Sequence, residues 1–174
     1  MRIDCGICVV RPYRSDDKAA LARQANSRKV WANVRDLFPH PYTEEHAEGW
    51  LAHVAQASPM SHFAIEVQGA FAGGIGLKLQ SDVDRISAEL GYWLGEEFWG
   101  RGVATAAING LVPWAFEAFE LERIYATPFH WNLASCRVLE KASFNKEGVM
   151  RRAALKDGVV ADVPMYARLR SSSA

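Results

Sequence analysis

Apolar residues recur at alternating spacing in some stretches of this chain and at helical spacing in others, and the succession of the two predicts an α/β protein. A short apolar run at 7–11 predicts a first strand. Ser15, Asp16 and Asp17 then offer an N-cap and first-turn acids to a helix carrying Leu21, Ala25, Val30 and Val34 to about Asp36. Pro39 and Pro41 break the pattern. Thr43 caps a second helix, with Ala47, Trp50, Leu51 and Val54 on one face. Phe63, Ile65 and Val67 alternate toward a turn at Gln68-Gly69, 70–79 reads as the returning strand, and 85–94 as the next one.

From Val103 the helical period returns. Ala107, Leu111 and Trp114/Ala115 face one way, and Pro113 predicts a kink near Asn109. A strand over 122–127, a helix over 132–142 and two strands at 149–155 and 163–169, joined by the turn Lys156-Asp157-Gly158, complete the order. Residues 171–174 read as a frayed tail. No repeat or linker interrupts this, so 1–174 is expected to be one α/β domain with a mixed sheet.

The most informative segment joins the 85–94 strand to the next helix. Trp99-Gly100-Arg101-Gly102-Val103-Ala104-Thr105 is a glycine-punctuated loop opening a helix, where unpaired backbone N–H groups and the helix dipole favour a phosphate. A Walker loop would need Lys-Ser or Lys-Thr after its second glycine, and Val103-Ala104 stands there instead. The dinucleotide fingerprint fails as well, for want of a third glycine and a following acid. Taken alone, the loop also fits an ordinary strand-to-helix turn.

Trp99-Gly100-Arg101-Gly102-Val103-Ala104 resembles the pyrophosphate-binding arm of the GNAT acyltransferases, which use acetyl-CoA. Asn132-Leu133-Ala134-Ser135, followed by Val138-Leu139-Glu140-Lys141 and Phe144, is similar to a segment of the branch that acetylates ribosomal-protein N-termini (RimJ/RimL-like). The opening Val10-Arg11-Pro12-Tyr13, the strand Glu89-Leu90-Gly91-Tyr92-Trp93-Leu94 and the closing Val163-Pro164-Met165-Tyr166 fit the same branch in the same order. The resemblance implies the GNAT fold: a mostly antiparallel mixed sheet, two central parallel strands that splay apart, and about four helices. It also implies acetyl-CoA as cosubstrate and a primary amine, a protein N-terminus or a small molecule, as acceptor.

Acetyl transfer from a thioester to an amine needs a base for the ammonium, donors for the oxyanion and an acid for the thiolate. Glu89 is the candidate base, sharing a strand face with Gly91 and Trp93, although a strand glutamate paired with Arg85 or Arg123 is the plainer reading. Many family members place a tyrosine acid where this chain has Leu139, so the resemblance points to Ser135; a helix-capping serine is the simpler account. By the same resemblance the edge of Tyr92, Trp93 and Leu94 meets the pantetheine and a backbone N–H of Trp93 or Leu94 the oxyanion, while Asn132 caps its helix or holds the arm. Phe38 and Tyr42, in the proline-rich 37–42 segment, are candidate acceptor contacts. Ser143 replaces the family's helix-ending glycine, at a cost if its φ is positive.

Composition narrows the classes. Lys plus Arg and Asp plus Glu are both 20, which gives no pull toward nucleic acid or an anionic membrane. With 49% hydrophobic residues, no spanning-length apolar run and no signal-peptide pattern, a folded cytoplasmic monomer or homodimer is expected. Cys5-Gly6-Ile7-Cys8 lacks the strand-then-helix setting of a redox pair, and neither these cysteines nor His46 and His53 have the further ligands a metal site needs. His130 falls near the expected cleft. An inert acyl-CoA-binding sensor is the rival to an enzyme.

Overall fold

The computed structural model describes residues 1–171; 172–174, most of the expected frayed tail, lie outside them. Eight strands form one sheet in the order β1-β2-β3-β4-β5-β6-β8-β7. They are β1 (Ile3–Asp4), β2 (Val9–Arg11), β3 (His62–Val67), β4 (Ala70–Leu79), β5 (Ser87–Leu94), β6 (Arg123–Ala126), β7 (Asn145–Lys156) and β8 (Val159–Leu169). Every neighbouring pair is antiparallel except β5 and β6. The helices are α1 (Lys18–Ala25), α2 (Arg28–Trp31), α3 (Glu44–Gln56), α4 (Val103–Ala118) and α5 (Leu133–Lys141). None is long and apolar enough to cross a membrane among the described residues.

Both faces of the sheet are covered. On one side Leu90 and Leu94 pack with Val103, Ala107 and Leu111 of α4 and with Leu139 of α5. On the other, Ala64, Phe71 and Trp93 meet Leu21 and Ala25 of α1 and Ala47 of α3. This explains why β3 is buried continuously from Phe63 to Glu66, although its sequence suggests one wet face.

The single helix expected up to Asp36 is two. Asn26 ends α1, and its side-chain carbonyl accepts the Tyr42 N–H at 3.0 Å. Ser27 starts α2 by accepting the Val30 N–H at 3.2 Å. Short polar side chains that bond the backbone locally override the apolar stripe. The expected capping acid Asp17 closes a capping box at the entry to α1 and takes a second role as well. Both its carboxylate oxygens accept from the Arg11 guanidinium, at 2.7 and 2.8 Å, and one accepts the Arg14 N–H. Glu66 takes Arg11 Nε at 2.6 Å, so one buried guanidinium ties β2, β3 and the entry to α1 together.

Three local features adjust the other expectations. Helix α4 runs continuously from Val103 to Ala118 with Pro113 inside it. Cys5-Gly6-Ile7-Cys8 is the turn of the β1–β2 hairpin, so the strand begins at Val9. A Cβ on Gly110 would stand 2.4 Å from Cys5 Sγ, which identifies that glycine as the place where the hairpin lies against α4. Finally, Ser143 has φ of +64°; its N–H donates to Glu140 and the Phe144 N–H to Leu139, a Schellman ending completed by serine.

Replacing Arg11 by Met should destabilise the protein by about 3–5 kcal/mol in urea unfolding, because Asp17 and Glu66 would be left buried without their cation. A loss below about 1 kcal/mol would show the network to be solvated. The nearby Cys8 thiol lowers the Cys5 pKa to about 7. The Cys5 thiolate should therefore be half-formed near pH 7, and its iodoacetamide alkylation should rise through that pH; in Cys8→Ala the midpoint should move up toward about 8.5.

Candidate active site

The parallel pairing of β5 with β6 spans Ser87 to Glu89 opposite Arg123 to Tyr125. Beyond Glu89, β5 continues to Leu94 on its β4 side alone. A cleft of about 1550 Å³ opens from this point. Alternation decides which backbone groups face it. The Gly95 N–H bonds Ala72 of β4, so Trp93, two residues back, also directs its N–H toward β4. Tyr92 and Leu94 carry the opposite parity and face the cleft, and the Leu94 carbonyl there accepts the Trp99 indole N–H at 2.8 Å. Of the two oxyanion donors expected from sequence, this register leaves Leu94.

One end of the cleft is the glycine loop. Gly100 and Gly102 have φ of +73° and +77°, and a Cβ on either would find no protein atom closer than 3.7 Å. Their role here is conformational, since the left-handed backbone turns the chain into α4. The Gly102 carbonyl accepts from Ala106, so the amides of Val103, Ala104 and Thr105 lie in the first turn, where no carbonyl one turn back exists to receive them. Trp99, Gly100, Gly102, Val103, Ala104 and Thr105 all border the cleft. Arg101 is exposed and does not.

Helix α5 forms the wall beside Tyr92. The Asn132 side-chain oxygen accepts the Ser135 N–H at 3.1 Å, making Asn132 the N-cap. Ser135 sits in the first turn with Oγ 2.6 Å from the Tyr92 hydroxyl. Burial pushes the Tyr92 pKa above the ordinary tyrosine range, with the Ser135 hydrogen bond opposing, so the phenol keeps its proton. Leu139, at the family's tyrosine position, is fully buried in the core. Tyr92 therefore brings a phenol to the cleft from the strand side.

Glu89 stands at the point of splay, on the α1–α3 face with Gly91 and Trp93. Its Oε1 accepts the Thr127 hydroxyl at 2.6 Å and lies 3.6 Å from Arg35 Nη2. Arg35 also donates to Thr127 Oγ1 at 2.7 Å, so the partners are Arg35 and Thr127 and not Arg85 or Arg123. Phe38 and Tyr42 border the same cleft, their ring centroids 5.0 Å apart. His130 instead lines a separate 470 Å³ cavity between α5 and the β7–β8 arm. His46 caps α3 with Thr43, and His53 lies against Trp50.

The polar groups at the cleft that sequence reasoning missed are Arg35, Thr127 and the Tyr92 hydroxyl. Tyr92 had a readable signal, as it follows Glu89 by three on a strand and so faces the opposite helices. Arg35 and Thr127 lie 92 residues apart and had none.

A family model described as an acetyltransferase (GNAT) domain matches residues 8–145. The chain belongs to the GNAT family. YdaF of Bacillus subtilis, named provisionally as a ribosomal N-acetyltransferase, is 36% identical over 102 residues, covering 59% of this chain and 55% of its own. The chain thus spans about half the length of such Bacillus relatives. The L-amino acid N-acetyltransferase AaaT of Escherichia coli is 24% identical over 163 residues, 93% of this chain and 98% of that one. Among solved structures, Mycobacterium smegmatis RimJ in complex with CoA-disulfide superposes with a TM-score of 0.84 at 27% identity, over 97% of this chain and 84% of that one.

Substituting Gly102 by Ala forces a β-carbon into the left-handed region at about 1–2 kcal/mol. Calorimetry should show CoA affinity lowered about tenfold if the loop must keep this conformation to bind. An unchanged affinity would mean that the loop's shape is not what recognises the coenzyme.

Proposed function

We propose that this protein, acting over residues 1–174 as one unit, transfers acetyl from acetyl-CoA to a primary α-amine by direct attack on the thioester. The carrying observation is that β5 leaves β6 after Glu89, so one opening holds an unpaired strand edge, the loop amides of 100–105 and a carboxylate. The pyrophosphate fits the amides of Gly100 to Thr105, and the pantetheine fits the edge at Tyr92 and Leu94 beside Asn132. Acetyl-CoA, when bound, supplies an activated acyl group.

Glu89 takes the proton from the acceptor ammonium, directly or through one water. The task is modest, because an α-amine titrates at about 7.7–8.0. Thr127 and Arg35 hold the carboxylate in place from the β6 side. The Leu94 N–H donates to the oxygen that becomes negative as the nitrogen bonds to the acyl carbon. Ser135, held by Tyr92 and seated in the first turn of α5, donates to sulfur as the carbon–sulfur bond breaks. Glu89 passes that first proton to solvent. The nitrogen gives up a second proton as the amide forms, and an equivalent one restores Ser135 after it has protonated the thiolate, so that ammonium and thioester become amide, thiol and one released proton.

A protein N-terminus is the reading favoured by the likeness to YdaF, and a free amino acid by the full-length likeness to AaaT. Both present an α-amine. Release of free thiol from acetyl-CoA over a panel of N-terminal peptides and amino acids tests the proposal, with the acetylated product identified by mass. Glu89→Gln should lower kcat by about 10²- to 10⁴-fold with CoA affinity unchanged. Tight CoA binding with no acetylated product from any amine would instead identify a sensor.

A further inference from the structure

The half of the cleft on the α1–α3 face has a composition that bears on the acceptor. Tyr13, Phe38, Tyr42, Trp50 and Trp93 border it. Their rings make a connected wall. Phe38 meets Trp93 edge-on at 5.3 Å, and Tyr13 meets Trp50 edge-on at 6.1 Å. Trp50 also meets His62 at 5.3 Å. Burial, with the charge of His53 adding to it, lowers the His62 pKa, so this ring is neutral at pH 7. Charges are sparse: Glu89 and Glu45 are the carboxylates bordering the cleft, against Lys29, Lys78 and Arg35 on the same side. A polycationic acceptor would find little to neutralise it there.

Strand β5 connects this wall to the chemistry. Glu89, Gly91 and Trp93 point to the same face, at about 6.6 Å intervals. Gly91 between them has no side chain, is exposed, and a Cβ built on it would touch nothing within 4 Å. Its φ is not positive, so the backbone does not require glycine. The missing side chain leaves a slot leading from the Glu89 carboxylate to the Trp93 and Phe38 rings. At the other side of Glu89, Arg35 borders the cleft with Nη2 3.6 Å from the carboxylate, which places a cation beside the position of the amine.

We propose that the acceptor is an α-amine carrying an aromatic or large apolar side chain and, on the same carbon, a carbonyl or carboxylate. The amine meets Glu89, the side chain runs through the Gly91 slot onto the aromatic wall, and the oxygen faces Arg35. This rests on the acetyl-transfer reading above and narrows its acceptor. An amino acid and a peptide beginning with one share this chemistry. Contact of an apolar side chain with such a wall is worth about 1.5–3 kcal/mol, which is about 10- to 100-fold in kcat/KM.

The test compares L-phenylalaninamide, free L-phenylalanine and a peptide beginning with Phe against the glycine and serine counterparts, at saturating acetyl-CoA. The Phe series should exceed the Gly and Ser series by at least about tenfold. The ratio of free amino acid to peptide then tells which source is used. In Gly91→Val, whose added methyls point into the slot, the Phe-to-Gly ratio should fall toward one while calorimetric CoA affinity stays the same. Equal rates for Phe and Gly, a preference for Ser, or a Phe preference that survives Gly91→Val would overturn the proposal. If no amine turns over, acetyl transfer itself fails, and equilibrium binding decides the acceptor. Quenching of tryptophan fluorescence in the CoA-loaded protein by L-phenylalaninamide and not by glycinamide sustains the pocket's assignment; no quenching by either ends it.

Discussion

Strands β5 and β6 share only the pairing from Ser87 to Glu89, and the site is built where that pairing stops. A backbone edge left unpaired in a folded protein is costly unless water or a ligand satisfies it. Here the groups on that edge, at Tyr92 and Leu94, open into the cleft. The same divergence sets Glu89 at the fork and leaves Thr127 just past the end of β6, close enough to bond it. On each side a helix begins at the opening: α4 after the glycine loop and α5 after Asn132. Two positive helix ends and one strand edge therefore converge on the cleft, and most of the polar groups they offer it belong to the main chain.

This division explains what could be read from the sequence. Backbone sites announce themselves through the residues that shape backbone, so Gly100, Gly102 and the capping Asn132 marked the loop and α5 correctly. Turns with strict φ requirements were equally legible: Gln68-Gly69 and Asp157-Gly158 both have positive φ in the structure. What escaped depended on contacts distant in sequence. Nothing near Asp17 indicates that it will share the Arg11 guanidinium with Glu66, 49 residues further on, and nothing near Arg35 points to Thr127. The first helix misled for a different reason. Its apolar stripe continues through Asn26 and Ser27, but their side chains bond the backbone and restart the helix. The alternation of β3 suggested a solvated face because the helices that cover it come from elsewhere in the chain.

The segment between α2 and α3 carries Arg35, Phe38 and Tyr42 to the cleft and is itself held by the far hairpin. Lys156, at the β7–β8 turn, is 2% exposed; its ammonium lies 3.7 Å over the Trp31 ring and 2.7 Å from Asp36. Asp157 pairs with Arg28. Most of the ammonium's hydration has been exchanged for an aromatic face and one carboxylate, an arrangement that fixes position more than it adds stability. The acceptor side is thus braced by the C-terminal hairpin, while the loop side is braced by the N-terminal hairpin against α4.

The central claim is that main-chain amides exposed by the splay hold the coenzyme. Titrating CoA into uniformly ¹⁵N-labelled protein and following amide shifts measures this directly. The account predicts the largest changes at Gly100, Gly102, Val103, Ala104 and Thr105, with Tyr92 and Leu94 shifting more than Trp93 between them. Shifts concentrated around the cavity between α5 and the β7–β8 arm, with the 100–105 amides unmoved, would contradict it.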